Sequence, residues 1–366
     1  MANHFDLLRL AAALAVFAAH GDFLYRLHLP VPFPGHSLGS LAVYVFFFVS
    51  GYLVCQSWRR HPAWSAFWLK RVARVFPGLV VAVAFSVFVL GWAVTTVPAS
   101  AYWQSPQTWL NFFNNAAGVA TVQTLPGVFE SNPFARTVNG SLWTIRYELA
   151  MYALLSALSW ALGGRRWVYP ATTVVLACLW QWARMEGWDA ALQAGAGQIA
   201  EVFSWNDFCG FCVLFFAGST LAAYAVPPRQ WMAAAAVWAL LGALVLESVL
   251  LRQMAVWTLV ACGVFYLAHL PSAKNAGSAK NAQGSTRERI DLSYGVYIYA
   301  FPIQQAMTAL CLARGWSWAV CLLLSLAAIV LLAWLSWFGV EKPCMRAAQG
   351  WLRGSAHGRH PVPRRL

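Results

Sequence analysis

The sequence is poor in charged residues. Only 10% of its 366 residues are Asp, Glu, Lys or Arg, and 60% are hydrophobic, whereas about 25% of the residues in a soluble globular protein are charged. A chain of this composition has more apolar surface than a water-soluble core can bury. We therefore expect lipid to be the main solvent of this chain, and we find no second, soluble domain in it.

Acidic residues and organised cysteines are also scarce. There are 12 acidic residues against 25 basic ones, a net charge of +13, but the basic residues lie between apolar runs rather than on one soluble face. This argues against a nucleic-acid partner. Most of the eight cysteines lie inside apolar runs, and Cys209 and Cys212 have metal-like spacing without a second pair, so we expect neither a disulfide framework nor a metal site.

Ten apolar runs have the length of a membrane-spanning helix, and backbone groups in lipid must be satisfied within such helices. The predicted fold is therefore an all-α, polytopic membrane protein with about ten spans. The first run lacks a convincing small-residue cleavage site and is expected to stay as an anchor. The runs cover residues 7–25, 38–56, 76–96, 141–162, 167–184, 206–225, 231–248, 254–270, 292–312 and 317–338.

The connections between the spans predict the orientation. If both termini are cytoplasmic, most Lys and Arg residues fall on the inner side, as the positive-inside rule requires. Residues 1–343 then form a ten-helix domain, and residues 344–366 form a basic cytoplasmic tail, expected to be disordered and close to anionic lipid. The long outer segment 97–140 is expected to form a surface helix or a lid, and residues 271–291 are expected to form a flexible inner linker.

The first span carries an arginine, Arg9, near its start and a histidine, His20, near its end. Eleven residues make about three helical turns, so both side chains project from one face, roughly 16 Å apart. With the N-terminus inside, Arg9 lies near the cytoplasmic end and His20 in the outer half. Ionisable groups in a span indicate a functional site, and a histidine suits a general base. The alternative is a histidine bonded to a neighbouring helix for packing.

Polar residues also mark the second and third spans. Ser50 and Gly51 interrupt an aromatic run, where they either serve a site or allow close helix packing. Lys70, Arg71 and Arg74 precede the predicted third span, at the cytoplasmic entrance. Such a cluster binds phosphates by charge-assisted hydrogen bonds, although it is also the ordinary positive-inside signal.

The fourth span places a carboxylate, Glu148, about two turns deep, at a depth similar to that of His20. It is expected to orient the imidazole or to hold a substrate hydroxyl, and the alternative is a structural ion pair with Arg146 or another span. The ninth span has Tyr294 and Tyr297 near its inner end and a kink at Pro302. The segment Val340–Pro343 (VEKP) is expected to cap the last span.

Taken in this order, the motifs resemble those of the bacterial integral-membrane acyltransferases of the acyltransferase-three family, which modify sugars and surface glycans. The resemblance implies transfer of an acyl group, commonly acetyl, from cytoplasmic acyl-CoA to a glycan hydroxyl at the bacterial inner membrane. The matching segments, which together span residues 9–343, are RLAAALAVFAAH, FFFVSGYLV, KRVARVFPG, SLWTIRYELAMY, SYGVYIYAFPI and VEKP.

The resemblance also implies roles for individual residues. His20 becomes the catalytic base or the acyl-handling residue, and Glu148 belongs to the matching fourth-span motif. Acyl-CoA is implied as the donor substrate, with no permanently bound cofactor, and the other partners are a glycan or lipid-linked sugar and membrane lipid. The residues implied to bind acyl-CoA are Arg9, Lys70, Arg71 and Arg74, and those implied to line the substrate pocket are Ser50, Trp143, Tyr294 and Tyr297.

The chain departs from the family pattern at two points. The ninth-span motif often carries a histidine where this chain has Ala300, so its role is absent here or is taken by Tyr297 or Tyr299. We also expect no extracytoplasmic esterase-like domain of the kind fused to some members. The main rival function, a transporter or flippase of a sugar-linked lipid, explains the spans and buried charges, but no internal repeat supports it. A non-enzymatic membrane scaffold leaves His20 and Glu148 without a purpose.

Overall fold

A computed structural model describes residues 4–25, 27–196, 204–271 and 290–357 of the chain. Within these ranges the protein is all-α, with one isolated β-bridge between Phe33 and His36, which confirms the predicted fold class. The helices are α1 Phe5–Tyr25, α2 Leu38–Arg60, α3 Trp64–Val94, α4 Ala99–Gln104, α5 Pro106–Ala117, α6 Trp143–Ala161, α7 Val168–Met185, α8 Trp188–Ala196, α9 Trp205–Ala223, α10 Gln230–Val245, α11 Val249–Ala268, α12 Ser293–Arg314, α13 Trp318–Ser336 and α14 Lys342–His357.

Each of the ten predicted spans overlaps one of these helices. Seven helices in the described ranges are long and apolar enough to cross a membrane, which confirms a multi-pass membrane protein. The other three overlapping helices are α6, α7 and α10. The count of ten and the cytoplasmic position of the termini stay predictions. Most of the predicted linker, residues 272–289, lies outside the described residues.

The third span begins earlier than predicted. Helix α3 has 31 residues and is therefore about 46 Å long, whereas the hydrocarbon layer is about 30 Å thick. Its first turns therefore extend beyond the apolar run, and the basic cluster Lys70–Arg74 is part of the helix rather than of the segment before it. The helix accommodates Pro77 and contains a π-helical stretch at Phe85–Gly91.

The last span also continues further than predicted. A π-helical turn, Trp337–Glu341, joins α13 directly to α14, so Val340–Pro343 does not cap the helix. The expected disorder from residue 344 is wrong for residues 344–357, because α14 packs against α3 and stays helical. Residues 358–366 of the predicted tail lie outside the described residues.

The centre of the bundle is a close crossing of α2 and α9. A Cβ atom added to Gly51 would lie 1.9 Å from the Phe215 carbonyl oxygen, and one added to Gly218 would lie 2.3 Å from that of Phe48. The Ser219 hydroxyl donates a 3.0 Å hydrogen bond to the Gly51 carbonyl across the crossing. Gly51 therefore serves helix packing, while its neighbour Ser50 stays available for a site.

The segment 97–140 contains a surface helix, which is one of the two alternatives predicted for it. Helix α5 exposes Trp109 and Phe113, whereas its polar Asn111 and Asn115 are buried. Both asparagines donate hydrogen bonds to the Val122 carbonyl, at 2.7 and 2.8 Å. An apolar exposed side and a polar buried side are what a helix at a lipid boundary requires.

One disulfide was not expected from the sequence. Cys311 at the end of α12 and Cys321 at the start of α13 are bonded, with their Cα atoms 6.3 Å apart. The two helices are joined by a short turn at Gly315, whose left-handed backbone reverses the chain. The turn lies at the predicted outer end of the bundle, where a disulfide persists in an oxidising compartment.

Candidate active site

Two adjacent cavities lie inside the bundle. The outer cavity, at the predicted outer end, has a volume of about 940 Å³ and is walled by the last turns of α1, the first turns of α2, α6 and α9, and part of α12. The inner cavity has a volume of about 110 Å³ and lies deeper, among α1, α2, α3, α6 and α12. Val43 and Tyr297 line both cavities, so the two meet at these residues.

His20 lines the outer cavity from α1. Its ring packs edge-on against Phe301 at a centroid distance of 5.0 Å, and the Gln304 side chain lies beside it. The Gln304 amide nitrogen donates a 3.0 Å hydrogen bond to the Phe17 carbonyl, one turn before the histidine. In the part of the chain that the structure describes, the buried His20 Nδ1 and Gln304 Oε1 have no hydrogen-bond partner of good geometry. The histidine is thus fixed by packing between α1 and α12.

Arg9 belongs to a buried charge network at the predicted inner end. Its guanidinium bonds to Asp291 at 2.5 Å, and Arg74 bonds to the same carboxylate oxygen at 2.7 Å. Arg74 also reaches Glu341 at 3.3 Å, and Glu341 accepts a 2.9 Å hydrogen bond from Ser336. Burial alone would raise the pKa of Asp291, but the two guanidinium groups hold it well below its usual value.

The remaining members of the basic cluster lie apart from this network. Arg71 lines the inner cavity, packs over the Phe67 and Tyr152 rings, and donates a 3.4 Å hydrogen bond to Ser57. Among the described residues it has no carboxylate within ion-pair distance. Lys70, one position earlier on α3, lines neither cavity. Among the described residues, Arg71 is therefore the member of the cluster that lines a cavity without a carboxylate partner.

Glu148 does not lie beside His20, contrary to our expectation. Its carboxylate lines the inner cavity, where it accepts hydrogen bonds from Ser50, at 3.3 Å, and from Tyr152. The physical reason is the register of α6. Glu148 lies on the helix face that it shares with Tyr152, four residues on, whereas Trp143 near the helix start lines the outer cavity.

Tyr297 separates the cavities. Its hydroxyl group forms a 2.7 Å hydrogen bond with Thr144 across the space between α12 and α6, and its ring meets Phe46 edge-on. Tyr299, the other residue expected to replace the missing histidine, lies against Phe85 and lines neither cavity. Of the two tyrosines, Tyr297 is therefore the one placed at the site.

The structure brings together most of the predicted site residues, but in two groups. Arg9, Ser50, Arg71, Arg74, Glu148 and Tyr294 line the inner cavity, and His20 and Trp143 line the outer one. Tyr294 donates a 2.8 Å hydrogen bond to the Val75 carbonyl, which ties α12 to the basic stretch of α3.

Three residues that matter were not singled out from the sequence. Asp291 and Glu341 are the acidic members of the charge network, and Gln304 contacts the histidine. Each belongs to or adjoins one of the motifs named above. For the two acidic residues, a carboxylate next to an apolar run was the sequence signal that could have identified them. The partners that place them in the site lie more than two hundred residues away in the chain, at separations such as 282 for Arg9 and Asp291.

A buried amide holds the outer loop over the histidine. The Gln305 side chain accepts a 2.7 Å hydrogen bond from Asn132 and donates 2.7 Å bonds to the Phe134 and Thr137 carbonyls. Phe134 in turn packs against Phe301, the ring that contacts His20, at 5.9 Å. The loop thus forms one wall of the outer cavity and is anchored to α12.

Comparison with known sequences decides the family. The model of the acyltransferase-three family, described as an acyltransferase domain, matches residues 3–338. The chain belongs to this family. The prediction that it is an O-acyltransferase is thereby confirmed.

Three relatives illustrate the similarity. The chain is 27% identical to an O-acetyl transferase of Shigella phage Sf6, over 93% of this chain and 95% of the relative. It is also 27% identical to nodulation protein 10 of Rhizobium leguminosarum bv. viciae, over 94% and 93% of the two chains. Acyltransferase MdmB of Streptomyces mycarofaciens is 31% identical over 43% of this chain and 42% of its own length. No solved structure matches the chain significantly.

Proposed function

We propose that this protein transfers an acyl group, acetyl in the first instance, from cytoplasmic acyl-CoA to a hydroxyl group of a glycan or glycolipid at the outer face of the bacterial inner membrane. The observation that carries the proposal is the arrangement on α1. One helix presents Arg9 to the inner cavity and His20 to the outer cavity, and the two cavities meet at Tyr297. Donor and acceptor can therefore approach a common point from opposite sides.

The donor enters from the inner side. A cavity of about 110 Å³ is too small for a whole acyl-CoA molecule, so only its thioester end enters, that is, the acyl group and the adjoining part of the pantetheine arm. The phosphates stay at the entrance, where Arg71 and Lys70 offer positive charge. Arg9 and Arg74 are already paired with Asp291 and keep the helices around the arm in place. Glu148, Ser50 and Tyr152 offer polar contacts to the amides of the arm.

The chemical step uses His20 as a general base. The imidazole accepts the proton of the acceptor hydroxyl, and the oxygen attacks the thioester carbonyl carbon. The C–S bond breaks as the new ester C–O bond forms. The proton then passes from the imidazolium to the CoA thiolate, so that the products are the ester and free CoA.

The rival function, a transporter or flippase of a sugar-linked lipid, is less favoured. It accounts for apolar helices and buried charges, but membership in an acyltransferase family does not follow from it. It also predicts no release of CoA.

The test uses purified protein, radiolabelled acetyl-CoA and the de-O-acetylated surface polysaccharide of the bacterium that carries this chain. The wild-type protein should release CoA only when the polysaccharide is present. His20→Ala should reduce the rate by about 100-fold or more, since general-base catalysis contributes about 10²–10⁴-fold. Near-normal transfer by this variant would refute the role of His20, and CoA release that ignores the acceptor would refute the proposed reaction.

Two further variants separate chemistry from folding. His28→Ala removes an exposed histidine that lines neither cavity, and it should leave the rate unchanged. His20→Gln keeps a side chain of similar size but removes the imidazole. It should lose activity while its melting temperature stays that of the wild type.

A further inference from the structure

The outer cavity is much larger than the reaction at His20 requires. At about 940 Å³ it is near the top of the range of about 300–1,000 Å³ that encloses drug-sized ligands. His20 and Phe301 occupy the wall formed by α1 and α12. One sugar placed with a hydroxyl at His20 leaves the space beside α2, α9 and α11 unfilled.

That second wall carries its own polar cluster, formed by His36, Tyr44 and Gln253. The Gln253 amide nitrogen donates a 3.2 Å hydrogen bond to the Tyr44 hydroxyl. The His36 ring lies 5.8 Å from the Tyr44 ring, and the Gln253 side chain also interacts with His36. The three residues come from three different parts of the chain, and all line the outer cavity.

The cluster is buried yet borders a cavity. Its three residues are only 8%, 8% and 5% exposed. A polar group withdrawn from water costs free energy unless its hydrogen bonds are met, and such groups in a membrane protein mark functional sites. Helix packing alone would be served by apolar side chains, as it is at most positions of α11.

The surroundings of the cluster suit a sugar. The Phe211 ring packs against Tyr44 at 5.7 Å, and Phe211 and Trp180 also line the cavity, which offers apolar faces to the C–H side of a pyranose ring. The amide, the imidazole and the phenol together offer donors and acceptors to its hydroxyl groups. A pocket that binds a specific ligand usually has a small number of polar groups among apolar and aromatic side chains.

We propose that His36, Tyr44 and Gln253 form a second sugar-binding subsite, the distal subsite, which holds the sugar residue next to the one that is acylated at His20. The inference rests on the proposed function and deepens it. It implies that the acceptor is a glycan of at least two sugar residues, and that these side chains determine specificity rather than perform chemistry.

The test compares two acceptors of different length. One is the methyl glycoside of the single sugar that the wild-type protein is found to acetylate, and the other is the shortest oligosaccharide of the same polysaccharide that contains this sugar. The variants are Tyr44→Phe, Gln253→Leu and His36→Ala. Tyr266→Phe is the matched control, because Tyr266 lies on α11 but lines neither cavity.

With the oligosaccharide, each variant should raise KM by about 2–10-fold, the equivalent of one lost hydrogen bond, and leave kcat within about twofold. With the methyl glycoside, kcat/KM should match that of the wild type. Tyr266→Phe should leave KM and kcat unchanged for both acceptors.

Three results would overturn the subsite while the proposed function stands. They are equal kcat/KM of the wild type for the two acceptors, an unchanged oligosaccharide KM in all three variants, and an equal loss of kcat with both acceptors, which is what a purely structural role of the cluster predicts. If the wild-type protein acetylates no sugar of the whole polysaccharide, the proposed function fails and the subsite fails with it.

Discussion

Replacement of Asp291 by Asn should strongly destabilise the protein, because it removes the carboxylate that two arginines share. The Asp291 carboxylate bonds to Arg9 at 2.5 Å and to Arg74 at 2.7 Å, and its side chain is 12% exposed. Asparagine keeps the size of the side chain but removes the charge. Two largely buried guanidinium groups are then left with one carboxylate, Glu341, at 3.3 Å from Arg74.

The magnitude follows from the contacts that are lost. A hydrogen bond to a charged group contributes about 1.5–3 kcal/mol, and removal of one partner from a buried ion pair costs about 3–5 kcal/mol. Two such bonds share one oxygen here, so their contributions are not fully additive. We expect the free energy of unfolding to fall by about 3–5 kcal/mol.

The assay is thermal or denaturant unfolding of the detergent-solubilised protein at several pH values. The pKa of Asp291 is depressed in the folded state, so its contribution to stability is complete above its unfolded pKa of about 3.9 and is lost as the pH falls below that value. The difference in stability between the wild type and Asp291→Asn should therefore be constant from about pH 5 to pH 8 and should shrink below about pH 4.

The exposed Glu130 of the outer loop provides the control. Glu130→Gln makes the same chemical change on the surface and should alter stability by less than about 0.5 kcal/mol. If Asp291→Asn is as stable as Glu130→Gln, or if its deficit varies between about pH 5 and pH 8, the charge network does not hold α1, α3 and α12 together as described.

Further predictions concern packing, the outer loop and the disulfide. Gly51→Ala should abolish folding or lower stability by about 3 kcal/mol or more, because its Cβ would meet the Phe215 carbonyl at 1.9 Å. Gly339→Ala is the control and should be neutral or slightly stabilising, because nothing lies within 4 Å of the new Cβ. Denaturant unfolding of both variants measures the difference in stability. Gln305→Leu should leave the Phe134 and Thr137 carbonyls without their donor and raise proteolysis of the loop around residue 132, with a larger effect on acceptor KM than on donor KM; an unchanged cleavage pattern would contradict the anchoring role. In the purified protein, Cys311 and Cys321 should react with an alkylating reagent only after the disulfide has been reduced. Labelling of both cysteines without a reductant would contradict the disulfide bond.

The sequence predicts those features that local periodicity determines. The eleven-residue spacing of Arg9 and His20 places both on one face of α1, and both indeed face α12 and its neighbours. Their separation along the helix is what assigns them to different cavities. Ser50 and Gly51 are likewise explained by adjacent positions on α2, one facing a cavity and one facing α9.

The remaining features depend on contacts between distant segments. Asp291 is 282 residues from Arg9 and 217 from Arg74, and periodicity within one helix carries no information on such pairings. The expectation that Glu148 lies beside His20 was wrong, because its position depends on the register of α6 relative to α1. No local pattern in the sequence determines this register. The same reason applies to His36, Tyr44 and Gln253, whose common wall exists only after α2 and α11 have packed.

The proposed path from an inner donor to an outer acceptor is tested most directly by the sidedness of the reaction. The measurement uses sealed proteoliposomes of known protein orientation, with acetyl-CoA, which does not cross the bilayer, on one side and the polysaccharide acceptor on the other. The proposal predicts acetylated polysaccharide when acetyl-CoA is on the side of the Lys70–Arg74 cluster and the acceptor is on the side of His20, and none in the reverse arrangement. Transfer only when donor and acceptor share one compartment would contradict it.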